Sequence, residues 1–284
     1  MQFARPKIFV LGETNVDKTD VHDYLVHLGA EKWFTENVED SQVSDIELLS
    51  EVYSRGCYKS FGVGLNPNVT KIREGNDIHL KNVIESLHGS ILEHSTVNFM
   101  FCDVSRVFTH ELVRHRVGVA ISQESLRYVR LTELKSFDFP RLKEELTEEE
   151  EQWFRDKTQQ VFEYLETVQK EMTVKFNLDD EQSFAKKKKL TSRMRRLAPL
   201  GLLTNIGWSA NLRTLRHIIP LRTHKSAEEE IRMVFATVGA ICKEKYPNVF
   251  FDMEWYPDFD DNTVSHGSEY TGGLGEWRIV NRKV

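Results

Sequence analysis

Residues 146–172 read LTEEEEQWFRDKTQQVFEYLETVQKEM, and this stretch restricts the fold more than any other. Thr147 and Glu150 stand at capping-box spacing, so a helix begins there. Phe154, Val161, Leu165, Val168 and Met172 then recur at helical intervals, which predicts one apolar stripe along an amphipathic helix near 147–176. At 1.5 Å per residue such a helix is roughly 45 Å long. The run Glu148–Glu151 has two readings, a metal site or an acidic first turn. Four consecutive carboxylates splay around a helix, and the helix dipole favours acidic groups there, so the first-turn reading is preferred.

Strand patterns accompany the helices. STVNFMFCDVS (95–105) alternates, with Val97, Phe99 and Phe101 on one side and Asn98 and Cys102 on the other, which predicts a half-buried strand. KIFVLGET (7–14) reads as a buried strand ending in a glycine turn. Ser44 and Glu47 form a capping-box spacing before a helix with Ile46, Leu49 and Val52. After a turn-rich stretch at 64–77, Leu80, Val83, Ile84 and Leu87 mark a helical face. RVFTHELVRHR (106–116) reads as a short helix. Ser226 and Glu229 start another, with Ile231, Val234, Phe235, Val238 and Ile241 inward. Strands and helices mix without a regular βαβ rhythm, so the fold class is α+β. No GxGxxG follows a strand and no GxxxxGK[ST] occurs, which removes the common dinucleotide and P-loop motifs.

With 284 residues, 40% of them apolar, the chain can bury a substantial core. Its net charge of -6 disfavours a general nucleic-acid binder. Cys57, Cys102 and Cys242 form neither a CxxC pair nor a zinc spacing, so free thiols and no metal site are expected. The five-residue apolar core IFVLG is too short for a signal peptide, and no run approaches a membrane span. These readings lead to the expectation of a soluble cytoplasmic protein. AKKKKLTSRMRRLAP (185–199) is a nucleic-acid patch or a solvated helix face, and the solvated face is the commoner outcome.

Against this acidic balance, RHRVGVAISQESLRY (114–128) gathers cations. Arg114 and Arg116 are fork-shaped donors suited to phosphate or carboxylate. Residues i and i+2 diverge on a helix, so the two arginines serve different partners or lie where the helix ends. Protonation of His115 between them is disfavoured by like charge. Ser122–Ser125 with Arg127 offers a plausible anion cradle, set among Val117, Val119, Ala120, Ile121 and Leu126. Ser125 lacks an evident base to make it a nucleophile, and no cysteine has an activating context. Phe99, Phe101 and Trp208 could stack on a planar ligand, but core packing is the commoner role.

These residues resemble the signature of the flavin-dependent thymidylate synthases, the thymidylate synthase complementing proteins. RHR is followed by a polar stretch and S-x-R-Y. SRGCYKSF (54–61), SLHGSILEHS (86–95), RRLAPLGLLTNIGWSANLRTLRHIIPLR (195–222) and AEEEIRMVF (227–235) look like further family elements, in the family's order. The resemblance covers about residues 7–250. It implies a twisted, mainly antiparallel sheet flanked by helices. It implies reductive methylation of dUMP to dTMP, with methylenetetrahydrofolate as carbon donor and FAD reduced by NADPH as hydride source. It also implies a homotetramer with active sites shared between subunits, and no nucleic-acid or membrane partner. His88, Arg114, His115, Arg116, Asn211 and His217 match cofactor-binding positions. Gln123, Glu124, Ser125, Arg127, Arg195 and Arg222 match substrate-binding positions, and Arg222 matches the arginine needed for turnover. Residues 1–250 are expected to form one catalytic domain, with 251–284 a C-terminal extension of unknown role.

The chain departs from the family pattern in three ways. Eight residues, Val117–Glu124, separate RHR from the serine, where the family has seven. Glu111 stands where the family often has glutamine. Length is added around 136–185 and after 252. Two other functions remain in competition: methylation of another pyrimidine nucleotide such as UMP, and nucleic-acid binding through 185–196 and 114–130.

Overall fold

The computed structural model describes residues 2–65, 67–69, 71–128, 133–138, 146–258 and 274–280. Strand β3 (Thr96–Ser105) runs through the centre. It pairs antiparallel with β2 (Lys7–Glu13) on one side and with β6 (Leu203–Asn211) on the other. The outer side of β6 pairs antiparallel with β4 (Val119–Gln123), giving the order β2-β3-β6-β4. Two helices cover one face, α8 (Leu212–Thr223) and α9 (Glu229–Lys245). Val97, Phe99, Phe101, Ile206 and Trp208 share a core with Leu215, Ile218 and Ile219 of α8 and Val234, Phe235 and Val238 of α9. The sheet is mixed with helices and antiparallel, as the α+β reading expects; a short parallel pair, β1 (Gln2–Ala4) with β5 (Lys135–Phe137), lies outside it.

The three aromatics that could have stacked on a ligand are core residues. Phe99, Phe101 and Trp208 are almost fully buried, with ring centroids 5.8–6.0 Å apart. The strand expected to be buried at 7–14 is instead an edge strand. Ile8 is buried, but Phe9 and Leu11 are 40% and 66% exposed. A continuous apolar run does not reveal whether one face or both are covered.

Helices α1 (Lys18–His27), α2 (Glu31–Asn37) and α3 (Asp45–Tyr58) enclose a second core around Leu25, Trp33, Leu48 and Phe61. The expected Ser44–Glu47 capping box does not form. Ser44 Oγ donates to Glu47 (2.8 Å), and Glu47 turns inward to accept from the Asn248 and Val249 amides at 2.7 and 3.2 Å. Leu80, Val83 and Ile84 of α4 (Asn76–Glu85) are buried, whereas Leu87 lies beyond the helix at φ 61° and is exposed.

Helix α6 (Glu148–Lys175) has the predicted capping box at Thr147, but its buried face is rotated. Phe162 and Gln169 are buried, while Phe154 and Val161 are exposed. Glu151 faces inward and pairs with Arg155, which also binds Asp138 (2.7 Å). Paired charges therefore occupy part of the inner face, and the apolar periodicity alone misplaces it. α9 is capped by Glu228, whose carboxylate accepts from the Glu230 and Ile231 amides, and not by Ser226, which pairs with His224. Strands β7 (Met253–Pro257) and β8 (Gly275–Ile279) form an antiparallel pair whose Met253 and Trp277 join the main core. The three cysteines are free thiols. No described helix is long and apolar enough to cross a membrane.

Candidate active site

The site starts from a bulge. β3 loses register between Phe101 and Val104, where Asp103 takes φ 54°, and Ser105 then caps α5 (Arg106–Leu112) by accepting from the Phe108 amide. The helix ends at Leu112, short of the expected 116. The Val113, Arg114 and His115 amides close tight turns onto Thr109, Glu111 and Leu112. Arg114, His115 and Arg116 therefore lie in a turn past the helix end, the second of the two placements open from sequence.

Gly118, at φ 69°, leads this turn into β4. A Cβ there would lie 2.4 Å from both Asn211 Nδ2 and Thr214 Oγ1, so only glycine fits. The Asn211 amide donates to Gly118 O (3.0 Å), and Thr214 Oγ1 donates to Val117 O (2.9 Å). Asn211 Oδ1 in turn caps α8 by accepting from the Thr214 amide (2.9 Å). The RHR turn and the start of α8 are thus locked together around a cavity of about 620 Å³. Arg114, His115, Arg116, Asn211 and His217 all line it, with Glu93, Gly118, Arg213 and Thr214. These last four were not singled out from sequence. Gly118 two residues past RHR, Arg213 two past Asn211 and Glu93 in the H-x-x-x-x-E-H spacing of 88–94 carried the available signal, and the structure pairs Glu93 with Arg213.

Arg222, from the last turn of α8, reaches this cluster. Its Nε donates to His115 Nε2 (2.6 Å) and its Nη1 to Glu111 Oε2 (2.7 Å). His115 is therefore neutral, with its proton on Nδ1. Burial first, then the charges of Arg222 and His217, lower its pKa to about 4. Partial burial, first, and the nearby Glu111 charge push the carboxyl of half-buried Glu228 upward. Glu111, the departure noted in sequence, thus holds Arg222, the arginine that the family resemblance matches to turnover.

His88 lies apart from this cavity. It precedes the 3-10 turn Gly89–Glu93, stacks on Tyr58 at 5.5 Å, and lines a separate cavity of about 220 Å³ with Ser60, His79 and Ser86.

Gln123, Glu124, Ser125, Arg127 and Arg195 form a second group at the far end of β4. Gln123 donates to Thr109 Oγ1 (3.2 Å), Glu124 accepts from Asn205 Nδ2 (3.2 Å), and Ser125 Oγ accepts from the Arg127 amide (3.3 Å). Arg106 donates to Glu124 O (3.4 Å), and Arg195 is close enough for its charge to act on Arg106. The five residues of β4 separate the two groups by roughly 15 Å. None of these five residues lines the cavity beside the RHR turn. In α7 (Phe184–Met194), Lys186 pairs with Glu181, and Lys188 lies 4.8 Å over the Tyr128 ring. No group of His, Cys, Asp and Glu among the described residues could hold a metal ion.

The family model for thymidylate synthase complementing protein matches residues 41–248. The chain is 31% identical over 231 residues to a flavin-dependent thymidylate synthase of Corynebacterium diphtheriae, covering 81% of this chain and 85% of that one. It is 30% identical over 223 residues to the enzyme of the same name from Mycobacterium marinum, covering 78% and 83%. A crystal structure of thymidylate synthase X from Helicobacter pylori with FAD and dUMP aligns at a TM-score of 0.49 and 19% identity, over 87% of this chain and 98% of that one. The match runs through both arginine motifs and most of the chain, which belongs to the thymidylate synthase complementing protein family.

Proposed function

We propose that the protein is a flavin-dependent thymidylate synthase that methylates dUMP to dTMP, with methylenetetrahydrofolate as carbon donor and NADPH as reductant. The observation that carries this reading is the cavity that joins the RHR turn to Asn211 and His217, with Arg222 hydrogen-bonded to His115 on its wall. Arg114 and Arg116 are exposed on its wall and have no carboxylate partner among the described residues, which suits the pyrophosphate of FAD. Gly118 lets the RHR turn pack against Asn211 and Thr214 at the cavity wall. FAD, when bound and reduced, supplies the hydride. His115, held neutral, adds no charge to the two arginines beside it. Arg222 carries a permanent cation able to stabilise negative charge developing on a pyrimidine carbonyl. Ser125, Arg127 and Arg195 are suited to the nucleotide phosphate.

The separation of the two groups along β4 supports a site completed by a second subunit within a homotetramer. The exposed Phe9 and Leu11 supply apolar surface on the uncovered sheet face for such an assembly. We read residues 1–250 as the catalytic domain and the location as cytoplasmic. The test is dTMP formation by purified protein with FAD, NADPH, methylenetetrahydrofolate and dUMP, with UMP as a parallel substrate. Product from dUMP and a yellow flavin band are expected. Absence of dTMP overturns the reading, and product from UMP alone redirects it. A colourless protein that binds oligonucleotides with steep salt dependence would favour the nucleic-acid alternative.

A further inference from the structure

We propose that the C-terminal β7–β8 pair is a positioning device for Arg222, acting through the three residues that follow it. This rests on Arg222 being the arginine that meets the substrate.

The end of α8 is weak by its own sequence. Pro220 lies inside the helix and removes one helical hydrogen bond just before Arg222. No glycine caps the end, and His224 leaves in an extended conformation at φ -59° and ψ 140°. Helix ends with unpartnered carbonyls fray unless something else binds them.

Here Arg232 of α9 binds a carbonyl, and β8 holds the Thr223 hydroxyl and the Lys225 amide. Thr223 Oγ1 donates to Ile219 O (2.8 Å) and accepts from the Trp277 amide (2.9 Å). Thr223 O accepts from Arg232 Nε (3.1 Å), and Arg232 Nη2 is held by Asp258 at 2.8 Å and by Gly275 O at 3.4 Å. The Lys225 amide donates to Glu276 Oε1 (2.9 Å), while Arg278 holds the other oxygen of Glu276 at 2.7 Å. The pair is itself locked to α9. The Trp277 indole N–H donates to Ala236 O (2.9 Å), and its ring fills the space beside Gly239, where a Cβ would lie 2.2 Å from Nε1.

Thr223 and Lys225 are therefore fixed on the side away from the cavity, and Arg222 points its guanidinium at His115 and Glu111 from the other. The family match ends at residue 248, before β7 begins, so this support lies outside the matched segment. Small displacements matter here, because misplacing a substrate-positioning group by about 1 Å can cost on the order of 100-fold in rate.

The test uses the full-length holoenzyme. Thr223→Val removes the hydroxyl that accepts from Trp277, and Glu276→Ala removes the acceptor for Lys225. Thr223→Ser and Glu276→Gln keep those atoms. Each single loss is expected to raise the KM for dUMP about fivefold, the value of one hydrogen bond, with flavin content unchanged. The conservative variants should stay within about twofold of wild type. An NMR titration of His115 gives a readout independent of turnover: as Arg222 moves away in Thr223→Val and Glu276→Ala, the pKa of His115 rises from about 4. The proposal is overturned if Thr223→Val and Glu276→Ala leave both KM and the His115 titration unchanged, or if Thr223→Ser behaves like Thr223→Val. If wild type makes no dTMP, or Arg222→Lys retains full activity, the reaction or the role of Arg222 fails instead. The His115 titration still decides the positioning.

Discussion

Gly118→Ala puts the architecture of the site to its sharpest test. The backbone at φ 69° costs a non-glycine residue about 1–2 kcal/mol. The new Cβ would also approach Asn211 Nδ2 and Thr214 Oγ1 to 2.4 Å and Asn211 Cγ to 2.9 Å. Ordinary contact needs roughly 3.5–4.0 Å, so Asn211 and Thr214 must move by about 1 Å. That movement breaks the Thr214–Val117 bond and disturbs the Asn211 cap of α8, each worth about 1 kcal/mol. The sum is about 3–4 kcal/mol, or roughly 6–16 °C in Tm for a chain near this size. Because the same first turn of α8 carries Arg213 and leads to His217, flavin content should fall with stability. Calorimetry and the flavin absorbance of purified protein measure both. A variant with wild-type Tm and full flavin content would refute the claim that the RHR turn and α8 are locked through Gly118.

Three further outcomes follow from buried charges. Burial raises the Glu230 carboxyl to about 8, against donors from Ser105 that oppose the shift, so the folded state holds a proton that the unfolded state releases above about 4.5. Stability should therefore fall as pH rises from 4.5 to 8, and Glu230→Gln should flatten that slope in urea titrations; equal slopes would contradict it. His115 has the opposite sign: its pKa is lowered, so its contribution is complete above about 6.5 and is lost as pH falls toward 4, and an NMR titration midpoint near 6.5 would contradict the contact with Arg222. Glu51→Gln leaves Arg55, 1% exposed, without its carboxylate partner and should cost about 3–5 kcal/mol by chemical denaturation, whereas a change below 1 kcal/mol would show that the Ser60 and Arg73 carbonyls suffice.

Local patterns were legible wherever one residue answers to its near neighbours. The alternation at 95–105, the Thr147 cap and the inward residues of α9 appear in the structure as read. The same reasoning failed where a distant partner competed. Glu47 accepts from the distant Asn248 and Val249 amides and takes the Ser44 hydroxyl as a donor, so Ser44 does not cap the helix, and Glu228 displaces Ser226 as a cap. The inner face of α6 is set by what Phe162, Glu151 and Gln169 meet, and periodicity offers no view of that.

By itself, the sequence determined which residue types are gathered for anion chemistry, their order along the chain and the family to which that order corresponds. Spacing and charge are properties of the chain alone, and they survive without coordinates. Only the tertiary structure decided that the two arginine groups stand at opposite ends of β4 and that Glu111 and His115 hold Arg222. It also decided that residues far past the family motifs brace the end of α8. Each of these depends on hydrogen bonds between segments about 50 to more than 100 residues apart, which form only after the sheet and its covering helices have packed.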